Sequence, residues 1–304
     1  MIIPERLQKG DTVGVIAPAS PPDETTLHKG ITVLEEIGLN VLVGRNINKK
    51  YGYLAGTDEE RRMDFHEMIV RKEVKAIIFA RGGYGTARIA SLINYPLIAN
   101  NPKIIWGYSD ITYLHTAIRQ RTGLVTFHGP MVMSIGKETV NPLSITMFKQ
   151  LFQPTELVYS EKISPLTVYS HGEAYGKLVG GNLSLMTRSL GTPYEIDTRG
   201  KIILLEDIGE EPYKVDAMLN QLKLAGKLSN IAGVVIGDFA KAEPKEKPSL
   251  SLNDVFSHYF SNLSIPVMAD FKIGHCEPNF SLPLGVPAHL STYYKTLKIS
   301  PAVR

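Results

Sequence analysis

Short apolar runs alternate with amphipathic segments along the first half of the chain. The apolar runs predict four strands, at residues 12–17, 74–80, 103–106 and 124–127. Between and after these strands, apolar residues at helical spacing predict helices at residues 24–37, 58–72, 86–93 and 110–121. Glycines follow the first and last of these helices. This alternation is typical of βαβ units around a parallel sheet. We therefore predict an open, mostly parallel α/β domain over residues 1–152.

A less regular stretch separates this half from a second domain. Residues 153–173 lose the periodicity and contain prolines, serines and a glycine, so we predict a linker there. Further strands are predicted at residues 176–182, 201–205 and 231–236. Between the last two, one helix face has the i, i+3, i+4, i+7 spacing of a buried surface, with Val215, Met218, Leu219 and Leu222. The pattern predicts a C-terminal α/β domain with mixed β structure over residues 174–304.

The composition narrows the possible classes of protein. A chain of 304 residues with 43% hydrophobic and 21% charged residues is typical of a globular protein with two domains. No apolar run approaches the length of about 18 residues that a membrane helix needs, and the first residues lack a signal-peptide pattern. A net charge of +3 without a long basic block argues against nucleic-acid binding. The single cysteine, Cys276, rules out an intrachain disulfide and favours a cytoplasmic location, and packing is its expected role.

Ser109 follows an apolar strand directly and precedes a helical segment. A side chain at this point projects from the carboxyl end of the strand, and the unpaired amides of the helix start favour developing negative charge. We therefore consider Ser109 a candidate nucleophile at a strand-to-helix elbow. The alternative is an ordinary helix cap. The elbow motif Gly-x-Ser-x-Gly is incomplete, because Ile111 stands at the second glycine position.

A serine nucleophile needs a base and an acid that orients it. Among the eight histidines, His275 is the best candidate, since it lies in a loop bounded by glycine and proline; the alternative is a loop histidine bonded to the backbone. For the acid, Glu206 and Asp207 directly follow four apolar strand residues, where a charge is costly unless it is paired. The alternative is that one of them caps the next helix.

A glycine-rich loop, Arg-Gly-Gly-Tyr-Gly at residues 81–85, follows another predicted strand. It fits neither Gly-x-Gly-x-x-Gly, because Arg88 replaces the third glycine, nor a phosphate-binding P-loop. Its glycines would let backbone amides approach a ligand, so we interpret it as a source of oxyanion donors near Ser109. The alternative is a turn that backbone geometry alone requires. No zinc-binding spacing is present, and we expect neither a metal nor a cofactor.

Together, these motifs resemble the LD-carboxypeptidases of the murein tetrapeptide carboxypeptidase family. The resemblance spans nearly the whole chain and rests on residues 10–20, 79–85, 107–112, 180–183, 205–207 and 273–275. It implies a two-domain serine peptidase with Ser109 as nucleophile and with Glu206 and His275 completing a triad. The backbone amides of Gly83 and Asp110 would then form the oxyanion hole.

The resemblance also implies a reaction, which is removal of the C-terminal D-alanine from a murein tetrapeptide by a metal-independent cytoplasmic homodimer. An enzyme of this type must bind the terminal carboxylate of its substrate, and we select Arg81, beside the glycine loop, for this role. Three alternatives stay open. They are a related self-immunity enzyme that cleaves an amide between a peptide and a nucleotide-like group, a non-catalytic binding protein for murein peptides, and a generic α/β-hydrolase esterase.

Overall fold

Each of the two units of the chain is built around one β-sheet. The computed structural model describes all 304 residues. The first 155 residues contain β1 (Thr12–Ile16), α1 (Glu24–Glu36), β2 (Asn40–Val43), α2 (Asp58–Val70), β3 (Val74–Phe79), α3 (Thr86–Ile89), α4 (Tyr95–Asn100), β4 (Ile104–Gly107), α5 (Thr112–Thr122), β5 (Thr126–His128), α6 (Val132–Ile135) and α7 (Pro142–Thr146). Short 3-10 helices span Ala90–Leu92, Ser109–Ile111 and Met147–Leu151.

The remaining elements follow in chain order. They are β6 (Leu157–Ser160), β7 (Thr167–Ser170), β8 (Glu173–Asn182), α8 (Leu183–Arg188), β9 (Ile202–Ile208), α9 (Pro212–Leu224), β10 (Gly233–Ala240), α10 (Leu252–Phe260), β11 (Val267–Ala269), β12 (Leu282–Leu284), β13 (Pro287–Ser291) and β14 (Thr296–Ile299). The longest helices have 13 residues, and none is both long and apolar enough to cross a membrane.

The first unit has a six-stranded sheet in the order β12-β5-β4-β3-β1-β2. All neighbours are parallel except β12, which runs antiparallel to β5. Every residue of β4 is buried, as expected for an interior parallel strand that is covered on both faces. This sheet confirms the predicted open, mostly parallel α/β fold, and it places the loops after β3 and β4 at the carboxyl edge.

The second unit has an eight-stranded mixed sheet in the order β6-β14-β13-β8-β9-β10-β11-β7. The strands β8 to β11 are parallel to one another, and the flanking strands are antiparallel. The predicted helix face packs in the core, with Val215, Leu219 and Leu222 fully buried and Met218 partly buried. The predicted α/β fold with mixed β structure is therefore confirmed.

The grouping of residues into units differs from the predicted boundaries. The first unit comprises residues 1–155, 277–285 and 301–304, and the second comprises residues 156–276 and 286–300. The predicted linker at 153–173 contains β6 and β7, which pair with β14 and β11 of the second sheet. Because both pairings join segments that are distant in sequence, local periodicity does not reveal them. For the same reason β12, which completes the first sheet, was not predicted.

Phe148 supports the strand that leads to Ser109. Its fully buried ring stacks on Trp106 of β4, with ring centroids 4.4 Å apart. We expect Phe148→Ala to lower the free energy of unfolding of the first unit by about 3–5 kcal/mol, because it removes a buried aromatic side chain and leaves a cavity. Denaturant unfolding followed by the fluorescence of Trp106, the single tryptophan, measures this change. Val43→Ala at an exposed site is the control, and a loss below about 1 kcal/mol for Phe148→Ala would contradict the expectation.

Candidate active site

Ser109 lies at a sharp turn immediately beyond β4. Its φ angle of 64° is in the left-handed region, which costs a residue other than glycine about 1–3 kcal/mol. The incomplete elbow motif has a steric explanation: a Cβ atom on Gly107 would lie 2.9 Å from the ring of Phe79 and 3.0 Å from Ile111. Ile111 therefore fills the space that the glycine at 107 leaves, and the turn forms without a second glycine.

The glycine-rich loop after β3 packs directly against this turn. A Cβ atom on Gly82 would lie 3.1 Å from both Cβ and Oγ of Ser109. Gly83 has a φ angle of 113°, and a Cβ atom there would lie 2.3 Å from Oγ of Ser20. A side chain at either position would therefore crowd Ser109 or Ser20. The sequence-based placement of this loop near Ser109 therefore agrees with the geometry of the first unit.

Hydrogen bonds hold the loop to the turn. The amide of Thr86 donates to the Asp110 carboxylate at 2.9 Å, and the Thr86 hydroxyl donates to the Asp110 carbonyl at 2.6 Å. The amide of Tyr84 donates to the Ser20 hydroxyl at 3.3 Å. Asp110 was predicted only as an amide donor, but its buried carboxylate also fixes the start of α3. Arg81 is half-buried beside the loop and donates to the carbonyl of Pro21 at 3.2 Å.

Arg61 is a supporting residue that the sequence did not reveal. Its buried guanidinium donates to the carbonyls of Pro18 and Gly85, the latter at 2.9 Å, and pairs with Asp58. Asp58 also pairs with Arg88 at 2.9 Å. Charged residues on a helix such as α2 usually face solvent, so only the tertiary structure shows that Arg61 supports the glycine loop.

In the second unit, Glu206 and His275 form a hydrogen-bonded pair. Nδ1 of His275 donates to Oε2 of Glu206 at 2.7 Å, and the Glu206 side chain is fully buried. Gly274 makes this approach possible, because a Cβ atom there would lie 2.6 Å from the same carboxylate oxygen. The structure thus brings together the two residues that were predicted as acid and base. An acid that binds Nδ1 leaves Nε2 to exchange a proton with a nucleophile.

Asp207, the alternative acid, has a different environment. Its carboxylate accepts hydrogen bonds from the amides of Ser184 and Ile208, both at 2.8 Å, and from the side chains of Ser184 and Asn182. It therefore anchors the start of α8, which precedes it in the chain, and not the helix that follows. Burial raises the pKa of Asp207, and the neighbouring Glu206 charge raises it further.

The electrostatic environment of His275 favours its charged form. Burial disfavours the imidazolium and so lowers the pKa of His275. The negative charge of Glu206, with those of Asp207 and Asp238, raises this pKa by more, so the pKa of His275 lies above its ordinary value. His115 is the opposite case. Burial lowers the pKa of His115 to about 3, and its Nε2 donates to the carbonyl of Gly107 at 2.8 Å. A neutral His115 therefore stabilises the backbone of the turn.

The other histidines lie elsewhere. His128 is buried in β5, with its ring edge-on to Tyr108 at 5.8 Å, and His171 stacks on Tyr293. No group of three or more His, Cys, Asp or Glu side chains is arranged to hold a metal ion.

Family models match both parts of the chain. Residues 13–129 match the LD-carboxypeptidase N-terminal domain, and residues 175–290 match the LD-carboxypeptidase C-terminal domain. The chain belongs to the LD-carboxypeptidase family. A relative from Bacillus subtilis, named "Probable murein peptide carboxypeptidase", is 54% identical over 302 residues, which cover 99% of this chain and 95% of the relative. The murein tetrapeptide carboxypeptidase of Pseudomonas aeruginosa is 30% identical, with coverage of 91% and 92%.

Two further proteins are similar to this LD-carboxypeptidase family member over nearly its whole length. The microcin C7 self-immunity protein of Escherichia coli is 27% identical, and the match covers 97% of this chain and 94% of that protein. The crystal structure of muramoyltetrapeptide carboxypeptidase from Oxalobacter formigenes has a TM-score of 0.86 at 30% identity, with coverage of 96% and 100%. The fold is thus shared over nearly the whole chain.

The pKa of His275 can be measured directly. We expect the His275 imidazole to titrate in NMR spectra of the full chain with a midpoint above the ordinary pKa of about 6.5. Glu206→Gln removes the negative charge that favours the imidazolium, so the midpoint should fall. His275→Gln assigns the signal, and Glu243→Gln, at an exposed site of the same unit, controls for net charge. A midpoint below 6.5 in the unmodified protein, or one insensitive to Glu206→Gln, would contradict this description.

Proposed function

We propose that the protein is a serine LD-carboxypeptidase that removes the C-terminal D-alanine from murein tetrapeptides. The observation that carries this proposal is the left-handed Ser109 at the end of β4, with the glycine-rich loop packed against its side chain. The hydrogen-bonded pair of Glu206 and His275 supplies the base and the acid that orients it. Relatives named as murein peptide and murein tetrapeptide carboxypeptidases support the choice of substrate.

In the proposed mechanism, Nε2 of His275 removes the proton of the Ser109 hydroxyl as Oγ attacks the carbonyl carbon before the terminal D-alanine. Glu206 holds the Nδ1 proton and stabilises the imidazolium that forms. The amides of Gly83 and Asp110 donate hydrogen bonds to the tetrahedral oxyanion. His275 then protonates the amine of D-alanine, which leaves, and water hydrolyses the acyl-enzyme by the same steps. No metal or cofactor takes part in this scheme.

We also propose that the enzyme acts in the cytoplasm as a homodimer and serves the recycling of cell-wall peptides. The single cysteine, which forms no intrachain disulfide, is compatible with a reducing compartment. A second candidate function is cleavage of an amide between a peptide and a nucleotide-like group. The similarity to the microcin C7 self-immunity protein, which extends over 97% of the chain, favours it as the alternative.

The tetrapeptide L-Ala-γ-D-Glu-meso-diaminopimelate-D-Ala provides the first test. Mass spectrometry should show release of D-alanine by the wild type, with no effect of a chelator. Ser109→Ala should lower the rate by about 10⁴- to 10⁶-fold, because it removes the covalent route. Ser91→Ala, at an exposed serine of the same unit, should leave the rate unchanged. Equal cleavage by Ser109→Ala would show that Ser109 is not the nucleophile, and cleavage only of a peptidyl nucleotide would favour the alternative function.

Arg81 is our proposed ligand for the terminal carboxylate of the substrate. We expect Arg81→Ala to raise KM for the tetrapeptide by about 10- to 100-fold with a smaller effect on kcat, since a charge-assisted hydrogen bond to the substrate is lost. With a tetrapeptide that ends in a carboxamide, the same variant should change KM little. Unchanged KM and kcat for the free acid would remove Arg81 from the site.

A further inference from the structure

The second unit contains a cavity at the carboxyl ends of β10 and β11, with α10 along one side. Its volume is about 360 Å³, within the range of about 300–1,000 Å³ that is typical of small-molecule sites. Aromatic side chains form part of the wall, namely Tyr169, Phe239 and Phe256. Three charged residues, Asp238, Asp270 and Lys272, also line it. The cavity therefore combines apolar surface with groups of both charges.

These three charged side chains form no hydrogen bond or ion pair within the protein. Asp238 is half-buried, and burial raises its pKa, whereas Lys272 nearby lowers it. Removing a charge from water is unfavourable unless another charge or a hydrogen bond compensates. Two carboxylates and one ammonium leave an excess negative charge in the cavity. A ligand with an ammonium group, and with a carboxylate for Lys272, would complement all three.

The cavity adjoins the Glu206–His275 pair. Gly237, in the cavity wall, lies so close to Glu206 that a Cβ atom on it would be 3.2 Å from Cβ of Glu206. The amide of Asp238 donates to the carbonyl of Ile273 at 2.9 Å, two residues before His275. The charges of both Glu206 and His275 also act on Asp238. A group bound to Asp238 would thus lie within range of the charges of the proposed acid and base.

We propose that this cavity is the subsite for a substrate side chain that ends in both an ammonium and a carboxylate group. Asp238 and Asp270 bind the ammonium, Lys272 binds the carboxylate, and the aromatic wall contacts the methylene groups between them and the peptide. This assignment rests on the proposed function, because in a murein tetrapeptide a diaminopimelate at the third position carries this chemistry. Asp238, Asp270 and Lys272 are then the residues that determine specificity at that position.

Turnover of three tetrapeptides tests the assignment. They share the sequence L-Ala-γ-D-Glu-X-D-Ala, with meso-diaminopimelate, L-lysine or L-norleucine as X. The wild type should have a kcat/KM for the diaminopimelate peptide at least tenfold above that for the norleucine peptide, since hydrogen bonds between charged groups are lost in the latter. The lysine peptide, which keeps the ammonium but lacks the carboxylate, should lie between them.

Conservative variants separate the roles of the charges. Asp238→Asn and Asp270→Asn should lower kcat/KM for the diaminopimelate and lysine peptides by about tenfold or more relative to the norleucine peptide. Asparagine tolerates the left-handed conformation of residue 270, which has a φ angle of 69°. Lys272→Met should affect only the diaminopimelate peptide. The control Glu243→Gln changes the net charge of the unit at an exposed site and should not change kcat/KM for any of the three peptides.

Equal losses with all three peptides would overturn the proposal, because they would indicate an effect on the dyad or on folding. Calorimetric titration of full-length Ser109→Ala with the tripeptides L-Ala-γ-D-Glu-meso-diaminopimelate and L-Ala-γ-D-Glu-norleucine tests the cavity without turnover. We expect tighter binding of the former, and Asp238→Asn should abolish the difference. Equal affinities would also overturn the assignment. Absence of cleavage by the wild type together with selective binding would instead reject the proposed reaction and retain the subsite.

Discussion

The candidate site of the first unit depends on glycines at which a Cβ atom would crowd a neighbouring side chain. Gly82 lies against Ser109, Gly83 against Ser20, and Gly107 against Phe79 and Ile111. Close packing of this kind restricts the arrangements that these segments can adopt. The left-handed Ser109 persists because buried neighbours on both sides of the turn determine its conformation.

The buried carboxylates Asp110, Glu206 and Asp207 are stabilised in different ways. Asp110 accepts the amide of Thr86, Asp207 accepts two amides and two side chains, and Glu206 pairs with an imidazole. The first two are held by uncharged donors and join secondary-structure elements. Only Glu206 pairs with a group that titrates near neutral pH, which distinguishes it from Asp207, its neighbour in the chain. Adjacent carboxylates on one strand thus face opposite sides of the sheet and serve different purposes.

Much of the first unit could be predicted, because several of its strands are mostly buried and rich in apolar residues, as β3 and β4 are. The half-exposed β2 was not predicted. Glycine and capping residues marked several helix ends; Gly123, for example, terminates α5 with a φ angle of 74°. Strands β6 and β7 were missed, because each is short and half-exposed and acquires its partner from a distant part of the chain. The same reason explains why β12 was not assigned to the first sheet.

Local chemistry was sufficient to propose Ser109, His275, a carboxylate at position 206 or 207 and the glycine-rich loop as candidates, since strand ends and glycines are visible in a linear pattern. It could not decide between Glu206 and Asp207, because both follow the same apolar strand. That decision depends on which carboxylate meets His275 across 69 residues of sequence. Nor could the linear pattern reveal the buried role of Arg61 or the cavity lined by Asp238, Asp270 and Lys272. Burial and charge proximity are properties of residues that are far apart in the chain, and only folding brings them together.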